Sequence, residues 1–414
     1  MKKRMYKIMA LAMTAAMVVP MAAQTTAFAA DDKEITYWNI AVESPDKDIV
    51  TAAVDKFNKE TKSGYTVNQV AIQNDTYKEK LVIAMSSGEC PDMYSSWSGG
   101  PMYEYIDSGF AQPIDDLLDQ SDIKDKLLDA AIEQGSYNGH VYAIPYLNVS
   151  LAGIFYNKDM FKQYGLEEPK TLADLENICA TLKENGITPF ALANASKWTG
   201  SMYFMSLAAR YGGLEPFQNA VAGTGKFTDD CFIKAGEKIQ EWFNNGYFPD
   251  GVNSLSEDDG QAKQLMYQET AGMLLCGSWY TGTFQTDSEE FYQKIGWFPF
   301  PAIDDSDADP TIQIGTVGDQ FISFNCEGDK LAAAFECATD HLSDEVADIT
   351  YSNNKIVPVK DAGDHISDPV VKEIFDAAQE ASSIQLWYDQ YLPTSVASAH
   401  LDGLQEVFLS LIHI

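Results

Sequence analysis

Beyond the first 30 residues, short apolar runs alternate with stretches whose apolar residues recur every three or four positions. Residues 35–38 read as a first strand, and 49–61 places Val50, Ala53, Val54 and Phe57 at helical spacing. Residues 65–72 alternate as a strand, and 75–87 reads as a helix stopped by Gly88 and Pro91. Met93 and Tyr94 open a further strand. Strand, helix, strand, helix, strand is the rhythm of a parallel α/β sheet. Residues 141–145 close this series. A second begins at 152–157, with helices predicted near 172–185, 202–211, 229–245 and 261–268 and an apolar strand at 273–276. A strand over 320–324 and helices over 330–341, 368–381 and 398–408 complete the pattern. No internal repeat interrupts it.

Length then fixes the scale. A chain of 414 residues exceeds one ordinary core and predicts two domains. With 45% hydrophobic and 21% charged residues, material for two packed cores is present. The N-terminus predicts export: Lys2, Lys3, Arg4 and Lys7 precede an apolar stretch over 8–19, and Ala27-Phe28-Ala29 fits a cleavage site. No later stretch is long and apolar enough to span a bilayer. The first cysteine is Cys90, so no lipid-anchoring cysteine stands at the cleavage site. The net charge of −33 argues against nucleic acid and anionic membranes as partners, and favours a neutral ligand. Six cysteines could form three disulfides in an exported protein, yet their apolar and helical contexts predict unbridged, buried thiols.

Candidate chemistry is concentrated in the tryptophans. Five of the seven stand in polar or glycine-bearing segments: Trp38, Trp97, Trp198, Trp279 and Trp387. Any one of them reads equally well as a partly buried structural residue. Five in such surroundings favour a carbohydrate cleft, because a rigid ring takes the C–H face of a sugar while polar neighbours take its hydroxyls. The alternatives are thinner. Asp305, Asp307 and Asp309 resemble the start of a calcium loop, but Pro310 and Thr316 stand where its glycine and glutamate belong. Residues 223–227 lack the spacing of a phosphate loop, and the five histidines are isolated from one another. No cofactor, metal site or catalytic set is expected.

In this order and spacing, several segments resemble the carbohydrate-type extracellular solute-binding proteins of bacterial ABC importers, the maltose-binding-protein-like group. They are Ile35-Thr36-Tyr37-Trp38-Asn39, Ser87-Gly88-Glu89-Cys90-Pro91-Asp92 with Trp97-Ser98-Gly99-Gly100, and Ala143-Ile144-Pro145-Tyr146 with Phe155-Tyr156-Asn157-Lys158. Lys197-Trp198, Ala271-Gly272-Met273 running to Ser278-Trp279, Gly296-Trp297-Phe298-Pro299 and Trp387-Tyr388-Asp389-Gln390 continue the likeness. The resemblance implies a two-lobe periplasmic-binding-protein-like (type II) α/β fold, with a multi-strand hinge and the ligand held between the lobes. It implies lobe one over 30–146 and 278–342, and lobe two over 147–277 and 343–408. Trp38, Asn39, Glu43, Trp97 and Asp319 are then expected at the site from one lobe, and Lys197, Trp198, Trp387 and Asp389 from the other, with Trp279 at the hinge. The implied partners are a neutral oligosaccharide and a membrane permease pair. A monomer that makes no covalent chemistry is expected.

Both ends depart from that group: many Gram-positive members carry a lipid-anchoring cysteine, and members usually continue past the helix near Phe408. Leu409-Ser410-Leu411-Ile412-His413-Ile414 matches the reading frame CTG TCT CTT ATA CAC ATC, a transposon end used as a sequencing adaptor, and is expected to be non-native. Two rival functions stay open at this point: a secreted polysaccharide-cleaving enzyme, which needs two carboxylates across one linkage, and a binder of peptide or polyamine.

Overall fold

The computed structural model describes residues 33–147, 149–318 and 320–409. The export signal expected over 1–29, Asp319, and the end of the suspected tail at 410–414 lie outside the described residues. The strands are β1 (Glu34–Asn39), β2 (Thr66–Ala71), β3 (Met93–Ser96), β4 (Ser136–Tyr137), β5 (His140–Val141), β6 (Ala143–Leu147) and β7 (Ser150–Asn157). They continue with β8 (Thr188–Phe190), β9 (Ala271–Gly277), β10 (Ile295–Pro299), β11 (Gln313–Thr316), β12 (Gln320–Phe324) and β13 (Ile384–Gln385).

Two sheets result. The first has the order β2-β1-β3-β12-β6, with β1 parallel to β2 and β3 and with β12 antiparallel to β3 and β6. The second has the order β13-β11-β7-β9-β8, with β10 also paired antiparallel to β7. Helices cover both. The helix Asn74–Ser87 ends at Gly88, whose φ of 75° is open to glycine at little cost. The helix Leu172–Glu184 starts at a reciprocal cap: Asp174 N–H donates to Thr171 Oγ1 at 3.2 Å, and Thr171 N–H donates to the Asp174 carboxylate at 3.0 Å.

Each sheet has its own core. Ile35, Tyr37, Phe57, Ile144, Ile322 and Phe324 anchor the first, while Phe155, Phe190, Trp242, Met273 and Leu275 anchor the second. Each fully buried side chain of this size contributes roughly 1.5–3 kcal/mol relative to exposure. Strand periodicity sends neighbouring residues to opposite faces. Ile35 and Tyr37 thus enter the main core, while Trp38 joins a smaller cluster around Tyr77, Leu81, Met85 and Tyr94.

The lobe boundaries differ from expectation. The chain was expected to return to the first lobe at 278, but β10 and β11 both pair with β7 of the second sheet. Tyr280 and Phe284, just beyond β9, also pack into the second core. Return occurs between Thr316 and Gln320, where β12 joins the first sheet. The next change comes later than 343, because Val346 and Val357 still belong to the first core. Gly296 and the aspartates at 304, 305, 307 and 309 left this segment without a strand pattern, and β10 and β11 are defined by their pairing with β7.

None of the six cysteines forms a disulfide; five are buried and Cys90 is half-buried. His341 is buried and His400 half-buried among aromatic rings, and desolvation pushes both down to about 4. Among the described residues, no helix is long and apolar enough to cross a membrane.

Candidate functional site

The sheets direct their carboxyl ends toward one cleft, the usual ligand position in open α/β sheets. Ile40 follows β1, Trp97 follows β3, Trp279 lies just past β9, and Trp387 just past β13. Gln320 opens β12 at the same edge. Helix starts complete the rim: Asp46 opens Asp46–Glu60, Asn74 opens Asn74–Ser87, and Trp198 opens Trp198–Gly212. The cleft spans about 800 Å³, part of it open to solvent, within the size range of small-molecule sites.

Three tryptophans form an array on one wall. The ring centroids of Trp198 and Trp279 are 6.0 Å apart with planes at 60°, and those of Trp279 and Trp387 are 6.0 Å apart at 70°. Gly277 makes room for this: a side chain there would strike the Trp279 ring. Trp198 follows Lys197, whose φ of 65° is uncommon for a residue with a Cβ. The Trp198 indole N–H is buried with no hydrogen-bond partner among the described residues. Met202 and Met205 add polarizable surface below the rings.

The polar groups are mostly acidic. Asp46, Glu257, Asp258 and Asp389 line the cleft together with Lys78. Burial pushes Glu257 up to about 7, although the Tyr280 hydroxyl donates to it and opposes the rise. Burial likewise raises Asp389 and Asp258, against the attraction of Lys78. Lys78 Nζ lies 5.0 Å above the Trp97 ring centroid, and Trp97 meets Tyr77 edge-on at 5.9 Å. Asp46 is held by Lys355 at 2.5 Å.

The lobes touch around this cleft. The Asp75 N–H donates to the Asp258 carboxylate at 3.0 Å, and Gln73 Nε2 donates to the Asp258 carbonyl at 3.3 Å. On the far side, Thr394 donates to Glu104 through its N–H at 2.9 Å and its hydroxyl at 2.6 Å. Gly99 and Gly100 allow the segment 390–392 to pass, since a Cβ at either would collide with the carbonyl of Gln390 or Leu392.

Of the residues expected at the site, Trp97, Trp198, Trp279, Trp387 and Asp389 meet in this cleft. Glu43 lines only an adjoining outer cavity, 3.6 Å from Lys263. Trp38 sits in the cluster beneath the helix Asn74–Ser87 rather than in the wall. Asn39 is fully buried and accepts from the Ala41 N–H at 3.0 Å, which shapes the turn after β1. The Lys197 side chain pairs with Asp402 at 2.5 Å, away from the lining. Sequence reasoning missed Asp46, Asn74, Lys78, Glu257, Asp258, Gln320 and Gln390. Each is an ordinary polar residue at a helix start or loop, and only Gln390 stood in a quoted segment.

Two lobes meet around a tryptophan-lined cleft. The chain belongs to the bacterial extracellular solute-binding protein family, whose sequence model matches residues 41–339. Among curated relatives, it is 31% identical over 228 residues to an uncharacterized ABC transporter extracellular-binding protein of Pyrococcus horikoshii, covering 54% of this chain and 50% of that one. It is 27% identical over 271 residues to the maltodextrin-binding protein of Bacillus subtilis, covering 64% of this chain and 60% of that one. The matched stretches thus span about half to three fifths of these relatives' lengths. A structure from work on xylan utilization by the thermophilic bacterium Caldanaerobius polysaccharolyticus superposes with a TM-score of 0.84 at 28% identity, covering 92% of this chain and 96% of that chain. A chitin oligosaccharide binding protein superposes at 0.83 with 22% identity, covering 92% and 95%, which supports the fold alone.

Proposed function

We propose that this protein is the exported substrate-binding subunit of an ABC importer and captures a neutral oligosaccharide. The observation that carries the reading is the array of Trp198, Trp279 and Trp387 inside an interlobe cleft. Its rings offer apolar planes to sugar C–H faces, and the Trp198 N–H, Gln320, Gln390 and Asn74 offer hydrogen bonds to hydroxyls. The acidic lining opposes a uronate or phosphate. The names of two relatives, which mention maltodextrin and xylan, agree with a saccharide. Capture by a single chain is coupled to closure, because a ligand touching both walls favours the closed state. The closed form then docks on a membrane permease. No covalent chemistry is assigned to the cleft carboxylates.

The test is a thermal-shift screen of xylo-, malto- and chito-oligosaccharides followed by calorimetry. Ligand at a hundredfold excess over its Kd adds about 2.7 kcal/mol to folding stability. Chromatography after long incubation should show the bound sugar uncut; released shorter products would replace this reading with an enzyme.

The four cleft carboxylates also support a second reading, an amine-bearing ligand such as a polyamine. Lys78 in the same wall and the readily protonated Glu257 weigh against it. Spermidine belongs in the same screen, and its binding without any sugar binding would decide for the amine.

A further inference from the structure

A second cavity adjoins the cleft. It is lined by Glu43, Gln73, Asp259, Lys263 and Thr283 among others, and shares Ile40, Asp46, Asn74, Glu257, Asp258 and Trp279 with the tryptophan-lined chamber. The shared strip is where the lobes are bonded. Asp258, on the loop before the second-lobe helix Gln261–Tyr267, accepts from the Asp75 N–H in the first turn of Asn74–Ser87. Its carbonyl accepts from Gln73, which faces the outer cavity. The inner chamber holds the tryptophan array; the outer one is lined mostly by polar and charged groups, with Trp279 and Tyr280 as its aromatic residues.

We propose that Asp258 is a length gate, so that the closed protein favours saccharides short enough to fit the inner chamber. The proposal rests on the saccharide reading above. A longer chain that extends from the rings into the outer cavity crosses the shared strip, and there it meets the Asp258 bonds to Gln73 and Asp75. Extension either breaks them or leaves the lobes ajar. The cost falls on long ligands alone, because a short one sits beside Trp198 and Trp387 without crossing the strip. The helix start at Asn74 suits this role: its unsatisfied N–H groups favour a carboxylate, and the bond is lost cleanly when the carboxylate is removed.

The experiment compares wild type, Asp258→Ala and Asp258→Asn by calorimetry with xylo-, malto- and chito-oligosaccharides of increasing length. In parallel, acrylamide quenching of tryptophan fluorescence is measured on each ligand-free protein, with circular dichroism to verify folding. For the series that binds, Asp258→Ala should raise the affinity of the longest member relative to the shortest by about tenfold, the scale of one hydrogen bond. Asp258→Asn keeps a side-chain oxygen that can accept from Asp75 and should keep the wild-type preference. Quenching should rise in Asp258→Ala and stay at the wild-type level in Asp258→Asn. An unchanged length preference in a folded Asp258→Ala would overturn the gate while leaving the saccharide reading intact. If no saccharide binds any form, the saccharide reading falls, and the length gate falls with it. Quenching then reports on the partition alone: a rise confined to Asp258→Ala keeps Asp258 as the bond closing the inner chamber, and equal quenching in all three removes that as well.

Discussion

The two walls of the cleft are built differently. The second lobe supplies Trp198, Met202, Met205, Trp279 and Trp387, rings and thioethers rooted in its own core, together with the polar Glu257, Asp258, Asp389 and Gln390 at its edge. The first lobe supplies Ile40, Asp46, Asn74, Lys78 and Gln320, with Trp97 as its aromatic contribution. Trp387 is only 3% exposed, and its neighbour Tyr388 stacks on Phe217 at 3.8 Å, so the aromatic wall is fixed before any ligand arrives. A rigid apolar wall loses little freedom on binding, whereas long polar side chains must be ordered. The contrast supports an order of events in which ligand settles on the second lobe and the first lobe closes over it.

The largest expected effect concerns the acid at the seam between the walls. Glu257 is held up at about 7, well above the ordinary glutamate value of 4.5, because burial disfavours its charge. The folded protein therefore keeps a proton that the unfolded chain releases. This group's penalty is absent below about pH 4.5, grows as pH rises toward 7, and levels off above it, at up to about 3 kcal/mol. Urea unfolding of wild type and Glu257→Gln across pH 4.5–8 should show the variant gaining stability relative to wild type over that window. Parallel curves for the two proteins would mean the carboxyl is solvated and the seam open.

Next in size is the aromatic wall itself. Trp279 stands between the other two rings, and Trp279→Ala should weaken saccharide binding by roughly 1–3 kcal/mol. Calorimetry on the folded variant gives the number. An affinity within twofold of wild type would move the ligand off this wall.

The sequence carried this contrast only in part. Four of the five tryptophans reach the cleft, and they were legible because Gly, Ser and Asp beside an aromatic ring are poor core neighbours. Trp38 nevertheless misled, since strand alternation placed it in a second apolar layer rather than at the strand's end. The paired α/β series was legible from periodicity, and β12 was read with its observed limits. By contrast, β10 and β11 were missed, because their identity lies in pairing with β7 and not in their own pattern. The polar wall was nearly invisible. Asp46, Asn74 and Lys78 look like any polar residue near a helix start, and only the approach of the second lobe makes them lining groups.

The smallest expected effect tests that polar wall. Lys78 is the lysine of the inner lining; it lies over Trp97 and faces the field of Asp389 and Asp258. In Lys78→Met the aliphatic stem still covers Trp97, so what is lost is the cation–π contact and the balance against two carboxylates. Each is a partly solvated interaction, and together they should reduce affinity for a neutral sugar by less than about 1 kcal/mol. The variant should also lose what little tolerance the cleft has for an anionic sugar, because its lining would then hold carboxylates without an opposing ammonium. Paired titrations with a neutral xylo-oligosaccharide and its glucuronate-bearing counterpart measure both effects. If Lys78→Met costs as much as Trp279→Ala for the neutral ligand, the walls share the binding energy, and the order of docking argued from their difference fails.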